Sequence, residues 1–149
     1  MFKISEDEMK IIERYKEMNV VRDGTIPTDQ KIEKLYNAME FRNTPETGNK
    51  VRELCDGVKH YNENVTKKNQ AIERGDTVAE NKCNEVLEQT KSKIEDTKTQ
   101  IFEITRENID TAKDSLDKSS DAYPQMKSTL ILESDTIQSG IEIISNLMS

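Results

Sequence analysis

The sequence predicts an all-α fold, a long antiparallel helical hairpin and coiled-coil-like bundle preceded by a short helical N-terminal arm. Gly (5) and Pro (3) are scarce among 149 residues, too few for the closely spaced turns of a β-sandwich or barrel. Apolar residues recur at three- and four-residue spacing from Met9 to Met148, the period of a helix with one buried face. No Gly or Pro interrupts the run from Asp76 to Tyr123. A single helix there could exceed ~60 Å at ~1.5 Å per residue, longer than a globule of this mass is wide.

The first helix is expected from about Glu6 to Met18. Ser5 and Glu8 have the spacing of a capping box, Ile4 and Met9 that of a hydrophobic staple, and Met9, Ile11, Ile12, Tyr15 and Met18 form the apolar stripe. Asp23-Gly24 and Ile26-Pro27 break the helical pattern. Thr28 can then cap a second helix bearing Ile32, Leu35, Tyr36 and Met39, which should stop near Arg42. These two short helices make up the arm, residues 1–43, and the long-helix bundle follows over 44–149.

The bundle opens on Thr44-Pro45, a cap followed by Pro at the first helical position, where its missing N–H costs nothing. Val51, Leu54, Val58, Tyr61, Val65 and Ile72 carry a third helix over about 45–74 to Gly75-Asp76, with Lys68 as a polar intrusion and with fraying or a bend expected at Gly48 and Gly57. Asp76 or Thr77 can cap a fourth helix over about 77–119. Its stripe is Cys83, Val86, Leu87, Ile94, Ile101, Ile104, Ile109, Ala112 and Leu116. Thr90, Thr97, Thr105 and Asn108 stand where a tight seam would hold Leu, so the seam should be narrow and partly wet. The seven-residue period Leu87-Ile94-Ile101 shifts by one place to Phe102, Ile109, Leu116 and Tyr123, the drift of a helix that leaves a strict heptad. Pro124 closes or kinks that helix, with Ser119 and Ser120 available as caps. A last helix over about 124–148 follows, bearing Met126, Leu130, Ile137, Ile141, Ile144 and Met148, with Ile131, Ile143 and Leu147 widening the stripe.

Composition excludes several classes of function. Only 33% of residues are apolar and 5% aromatic, none is Trp, and 34% are charged, a thin supply of core side chains that argues against a large central pocket. Acids exceed bases by 29 to 22, for a net charge of -7. Ser128 to Ser149 contains no Lys or Arg but keeps Glu133, Asp135 and Glu142, so phosphates and anionic lipid would repel this end and nucleic acid is not an expected partner. The longest apolar run, Leu130-Ile131-Leu132, falls far short of the ~20 residues of a membrane span, so no direct membrane insertion is expected. Two cysteines, Cys55 and Cys83, with no secretory leader at Met1, point to reduced thiols and a cytoplasmic setting.

No constellation for chemistry emerges. His60 is the single histidine and neither it nor a cysteine is repeated at zinc-ligand spacing, so metal sites are not expected. His60 reads as a solvent-facing helix residue. The five glycines are too dispersed for a phosphate-cradling loop, so no cofactor is expected. Asp117, Ser119 and Asp121 alternate like a calcium loop, but Ala122 and Ser128 stand where Gly and Glu are needed. Asn64-Val65-Thr66 matches the glycosylation triplet but is read as chance in a chain without a leader. Acids such as Glu103 and Glu107 lie along helix faces, and no pair is singled out as a dyad. The chain is therefore not expected to be an enzyme.

Near the end, Ser139-Gly140-Ile141-Glu142-Ile143-Ile144-Ser145-Asn146-Leu147, preceded by Leu116-Asp117-Lys118-Ser119-Ser120 and Glu133-Ser134-Asp135, resembles the first half of a Q-type SNARE motif over roughly thirty residues, with a glycine and apolar layers at similar offsets. The resemblance implies a helical N-terminal regulatory bundle and pairing of the last helix into a four-helix coiled coil. The family's central polar layer would fall beyond Ser149, and Pro124 departs from the pattern.

The functional expectation is a non-enzymatic adaptor or assembly protein. Its partner, another protein or a second copy of the chain, would be met through amphipathic helices at Leu130, Ile137, Ile141, Ile144, Leu147 and Met148. The alternatives are an acidic, chaperone-like or secretion-associated protein that masks a client helix, and a SNARE-type membrane-trafficking fragment.

Overall fold

The computed structural model describes residues 6–39 and 45–149, which form five helices: α1 (Glu6–Asp23), α2 (Thr28–Ala38), α3 (Pro45–Glu73), α4 (Thr77–Asp114) and α5 (Tyr123–Ser145). The all-α architecture is the expected one, and α3 and α4 form its long antiparallel hairpin. The cap and staple expected from Ser5 and Ile4 and the cap from Thr44 lie outside the described residues; α2 ends at Ala38 with Met39 as its C-cap, short of the stop expected near Arg42.

The hairpin turn follows from three consecutive residues. Gly75 adopts φ +69°, the left-handed conformation that a side chain disfavours. Its N–H donates to the Ile72 carbonyl at 3.0 Å and the Asp76 N–H to the Ala71 carbonyl at 2.9 Å, the two bonds of a Schellman ending. Asp76 then starts α4, its carboxylate accepting from the Ala79 N–H at 3.0 Å. One residue thus closes α3 and caps α4, which leaves the helices side by side. Gly57 sits where they approach closely: a Cβ there would lie 3.1 Å from Ile94 Cγ1. Instead of fraying, α3 runs unbroken through Gly48 and Gly57.

A single core joins the arm and the bundle. Met18 of α1 and Ile32 and Leu35 of α2 cluster with Val51, Leu54 and Val58 of α3, Ile94 and Ile101 of α4, and Ile141 and Ile144 of α5. Hydrophobic burial therefore crosses the expected boundary near Asn43. Along α1, Ile11 and Met18 turn inward, whereas Met9 and Tyr15 are nearly half exposed. In the distal hairpin, between Val65 and Gln89, Ala71 is the one buried residue, and Ile72 (49%) and Val78 (79%) are open to solvent.

Helix ends differ from expectation by a few residues, with local causes. α1 continues past Met18 to Asp23, since nothing before Asp23-Gly24 opposes it. Pro27 rather than Thr28 occupies the cap position of α2, and Thr28 is its first helical residue. α4 stops at Asp114 rather than near 119. There Asp117 accepts hydrogen bonds from the Ser119 N–H at 3.0 Å and hydroxyl at 2.6 Å, an Asx turn that competes with helix. Ser120 Oγ accepts from the Ala122 N–H at 3.2 Å, and Pro124 lies in the first turn of a separate helix. α5 ends at Ser145 rather than 148.

An ion-pair cluster ties α2 to α3. Arg52 forks onto the two Glu33 oxygens, through Nη1 at 3.0 Å and Nη2 at 2.9 Å, and lies 5.0 Å from the centre of the Tyr36 ring. Lys59 also donates to Glu33. These hydrogen bonds, Arg52 first, hold the Glu33 carboxyl down at about 2. A depressed carboxyl stabilises the fold above its unfolded pKa and loses that contribution as pH falls through the folded value. The stability difference between the natural chain and Glu33→Gln, read from urea midpoints, should therefore be full near neutrality and shrink between about pH 4.5 and 2. Because Glu33 is 40% exposed, solvent screening keeps the effect near ~1 kcal/mol. A gap independent of pH would show that the carboxylate contributes nothing through its charge.

Candidate functional site

α4 and α5 diverge enough to leave a trough between them of about 550 Å³. Phe102, Thr105 and Ile109 come from one face of α4 and Ile137 from α5, so the floor is largely apolar. Ile109 (8%) and Ile137 (6%) are nearly closed over, and Phe102 packs partly on the core. Glu103, Arg106, Asp110 and Lys113 rise along the α4 rim, and Ser134 and Gln138 line the α5 side. Spacings of three and four residues place the four charged groups on one helix face.

The trough exists because the α4 seam is mixed. Thr90, Thr97 and Thr105 are buried in line with Ile94, Ile101 and Ile109; of the three, Thr105 lines the trough, and its side chain is shorter and more polar than the neighbouring Ile, so it fills less of the space toward α5. Thr97 donates its hydroxyl to the Lys93 carbonyl at 2.8 Å. Thr105 Oγ1 is buried without a hydrogen-bond partner and borders the trough. Leaving such a group unpaired costs about 1–3 kcal/mol.

On the other side of α5 a second trough of about 590 Å³ faces α1, lined mainly by polar groups including Tyr15, Asn19, Arg22, Asp135 and Glu142. Its apolar lining is Ile143 and the Tyr15 ring. Nearby, a space of about 30 Å³ among Ile11, Met39 and Ile137 is a packing gap.

The six residues expected to meet a partner are divided by the structure. Ile141 and Ile144 are 0% exposed and belong to the chain's own core. Leu147 and Met148 are half-buried and pack against the same core. Asn62 of α3 fastens this end, donating to the Leu147 carbonyl at 3.0 Å and accepting from the Ser149 N–H at 2.7 Å. Leu130 is half-buried, and Ile137 alone borders the α4–α5 trough. Intramolecular packing is the physical reason: the most apolar helix is the first to be drawn inside. The α4 rim is not among the expected site residues, although the shift of the apolar line to Phe102 and Ile109 marks its floor.

Burial pushes the Cys55 thiol up to about 12, and it stays protonated; Cys83 is half-buried, and both thiols are free. His60 is exposed, as expected. Asn64 of the glycosylation triplet is 5% exposed and donates to the His60 carbonyl at 2.9 Å, so its amide is enclosed within α3. Among the described residues no three His, Cys, Asp or Glu side chains converge as metal ligands. None of the described helices is long and apolar enough to cross a membrane. No family model, curated protein or solved structure matches the chain.

Proposed function

We propose that the protein is a non-enzymatic helical interaction protein, an adaptor or assembly factor that binds another protein or a second copy of itself through amphipathic helices. The observation that carries this reading is the α4–α5 trough, helix-walled, apolar at its floor through Phe102, Ile109 and Ile137 and charged along its rim. Such a groove accepts a helix whose anchors repeat at three and four residues. The contact surface in this reading is the outer side of α4 and α5. Ile141 and Ile144 serve the fold that holds those helices in place.

Site-specific photo-crosslinking in the source cell tests it. A photoreactive residue at Arg106 or Gln138 is expected to capture protein, whereas one at Asn69, exposed on the distal hairpin, is not. Capture at Asn69 alone, or at none of the three positions, would contradict the reading.

A further inference from the structure

We propose that the occupant of the α4–α5 trough is a second copy of this chain, with the two α4 helices antiparallel about a twofold axis level with Asn108. The inference rests on the reading of the trough as an interaction surface and adds the identity of what fills it. Along the rim the charges run Glu103, Arg106, Asp110, Lys113, alternating in sign on a three-four-three spacing. Antiparallel pairing about residue 108 sets Glu103 level with Lys113 of the second copy and Arg106 level with its Asp110. The twofold axis repeats both matches, so all four levels join opposite charges. A parallel pairing in register would set every charge against its own kind.

The rim charges are also at liberty to make these pairs. Glu103 and Arg106, Arg106 and Asp110, and Asp110 and Lys113 stand at helical neighbour spacing, yet none of the four forms an ion pair among the described residues. Glu103, Arg106 and Asp110 are exposed and Lys113 is half-buried. A twofold contact is isologous, the same patch serving both partners, so it requires a patch complementary to itself. The rim meets that requirement, and the long stems of Arg106 and Lys113 are suited to cover the apolar floor while their heads meet acids across the axis. Exposed ion pairs chiefly select register and partner, so the dimer is weak, reversible and loosened by salt.

Two rim variants test the pairing by mixing. Glu103→Lys with Asp110→Lys makes an all-basic rim; Arg106→Glu with Lys113→Glu makes an all-acidic one. In sedimentation equilibrium the natural chain of 17.1 kDa should rise toward twice its mass with concentration. Each variant alone should dissociate at least about tenfold more readily, and their equimolar mixture should recover the natural association, because opposite rims now face each other. Circular dichroism checks that both variants keep their helices. Should either lose them, the single changes Arg106→Asp and Asp110→Arg supply the same complementation. A natural chain that stays monomeric, variants that associate as well as it does, or a mixture that does not recover would each overturn the proposal. If the chain is monomeric while crosslinks at Arg106 or Gln138 capture a different protein, the second copy is excluded and the interaction surface stands. If those positions capture nothing, both fail.

Discussion

Replacing Ile141 with Asp, together with Ile144→Asp, is expected to unfold the chain. Both side chains are 0% exposed and packed in one core with Met18, Leu35, Leu54 and Ile101. Truncating a buried Ile costs about 2–5 kcal/mol, and placing a carboxylate in the vacated space adds the penalty of an unpaired buried polar group. Together these changes match the roughly 5–15 kcal/mol by which a native domain is stable. Far-ultraviolet circular dichroism should show loss of cooperative melting. A double variant that melts like the natural chain would mean that α5 is not a core helix, and the six residues expected at a partner surface would regain that role as a group. The distinction matters because a pull-down alone would mislead: lost binding by an unfolded chain says nothing about where the partner sat.

Gly140→Val should destabilise the chain by about 2 kcal/mol, at the crossing of α5 with the arm. A Cβ at Gly140 would come 2.5 Å from Met39 Sδ, 2.7 Å from Met39 Cε and 3.0 Å from Met18 Sδ. Methionine ends are mobile, but Met18 is 0% and Met39 6% exposed and the gap beside Met39 is only about 30 Å³, so the Met39 end can shift a short way and the crowding is relieved in part. The small gain in helix propensity over Gly does not offset the crowding. Urea midpoints measure the loss, and a Met39→Ala background should relieve part of it, because the space the new side chain needs is then free. Equal losses in both backgrounds would show that Met39 is not what opposes the substitution.

The helical fold is legible in the sequence where local rules suffice. Gly75 and Asp76 announce the hairpin turn because the left-handed ending and the acidic cap are both set by the residue type itself. The apolar periods announce five helices for the same reason. What cannot be read depends on partners distant in the chain. Glu33 gains its role only when folding brings Arg52 and Lys59 to it. Gly140 stands in the sequence as the glycine of the SNARE-like stretch, and its tight contact is visible only when Met18 and Met39 are seen against it. Gly57 likewise suggests a bend, and its actual effect is to let Ile94 approach. The end of α4 falls earlier than expected because Asp117 and Ser119 look like ordinary helix-surface residues, and their turn is one of two local arrangements open to them. The candidate site is half visible: the polar seam at Thr97 and Thr105 shows in the sequence, but whether it closes against α5 or leaves a trough depends on how the two helices pack.

One core spans the five described helices, with α5 closing it through Ile137, Ile141 and Ile144. Native-state amide hydrogen exchange reads this organisation residue by residue. Amides from Ile137 to Ser145 are expected to exchange as slowly as those from Val51 to Val58, through the same global opening, with Ile72 and Val78 in the distal hairpin exchanging sooner. Fast exchange across Ile137 to Ser145 while α3 and α4 remain protected would contradict it, because α5 would then be a detachable helix and the shared core would not exist.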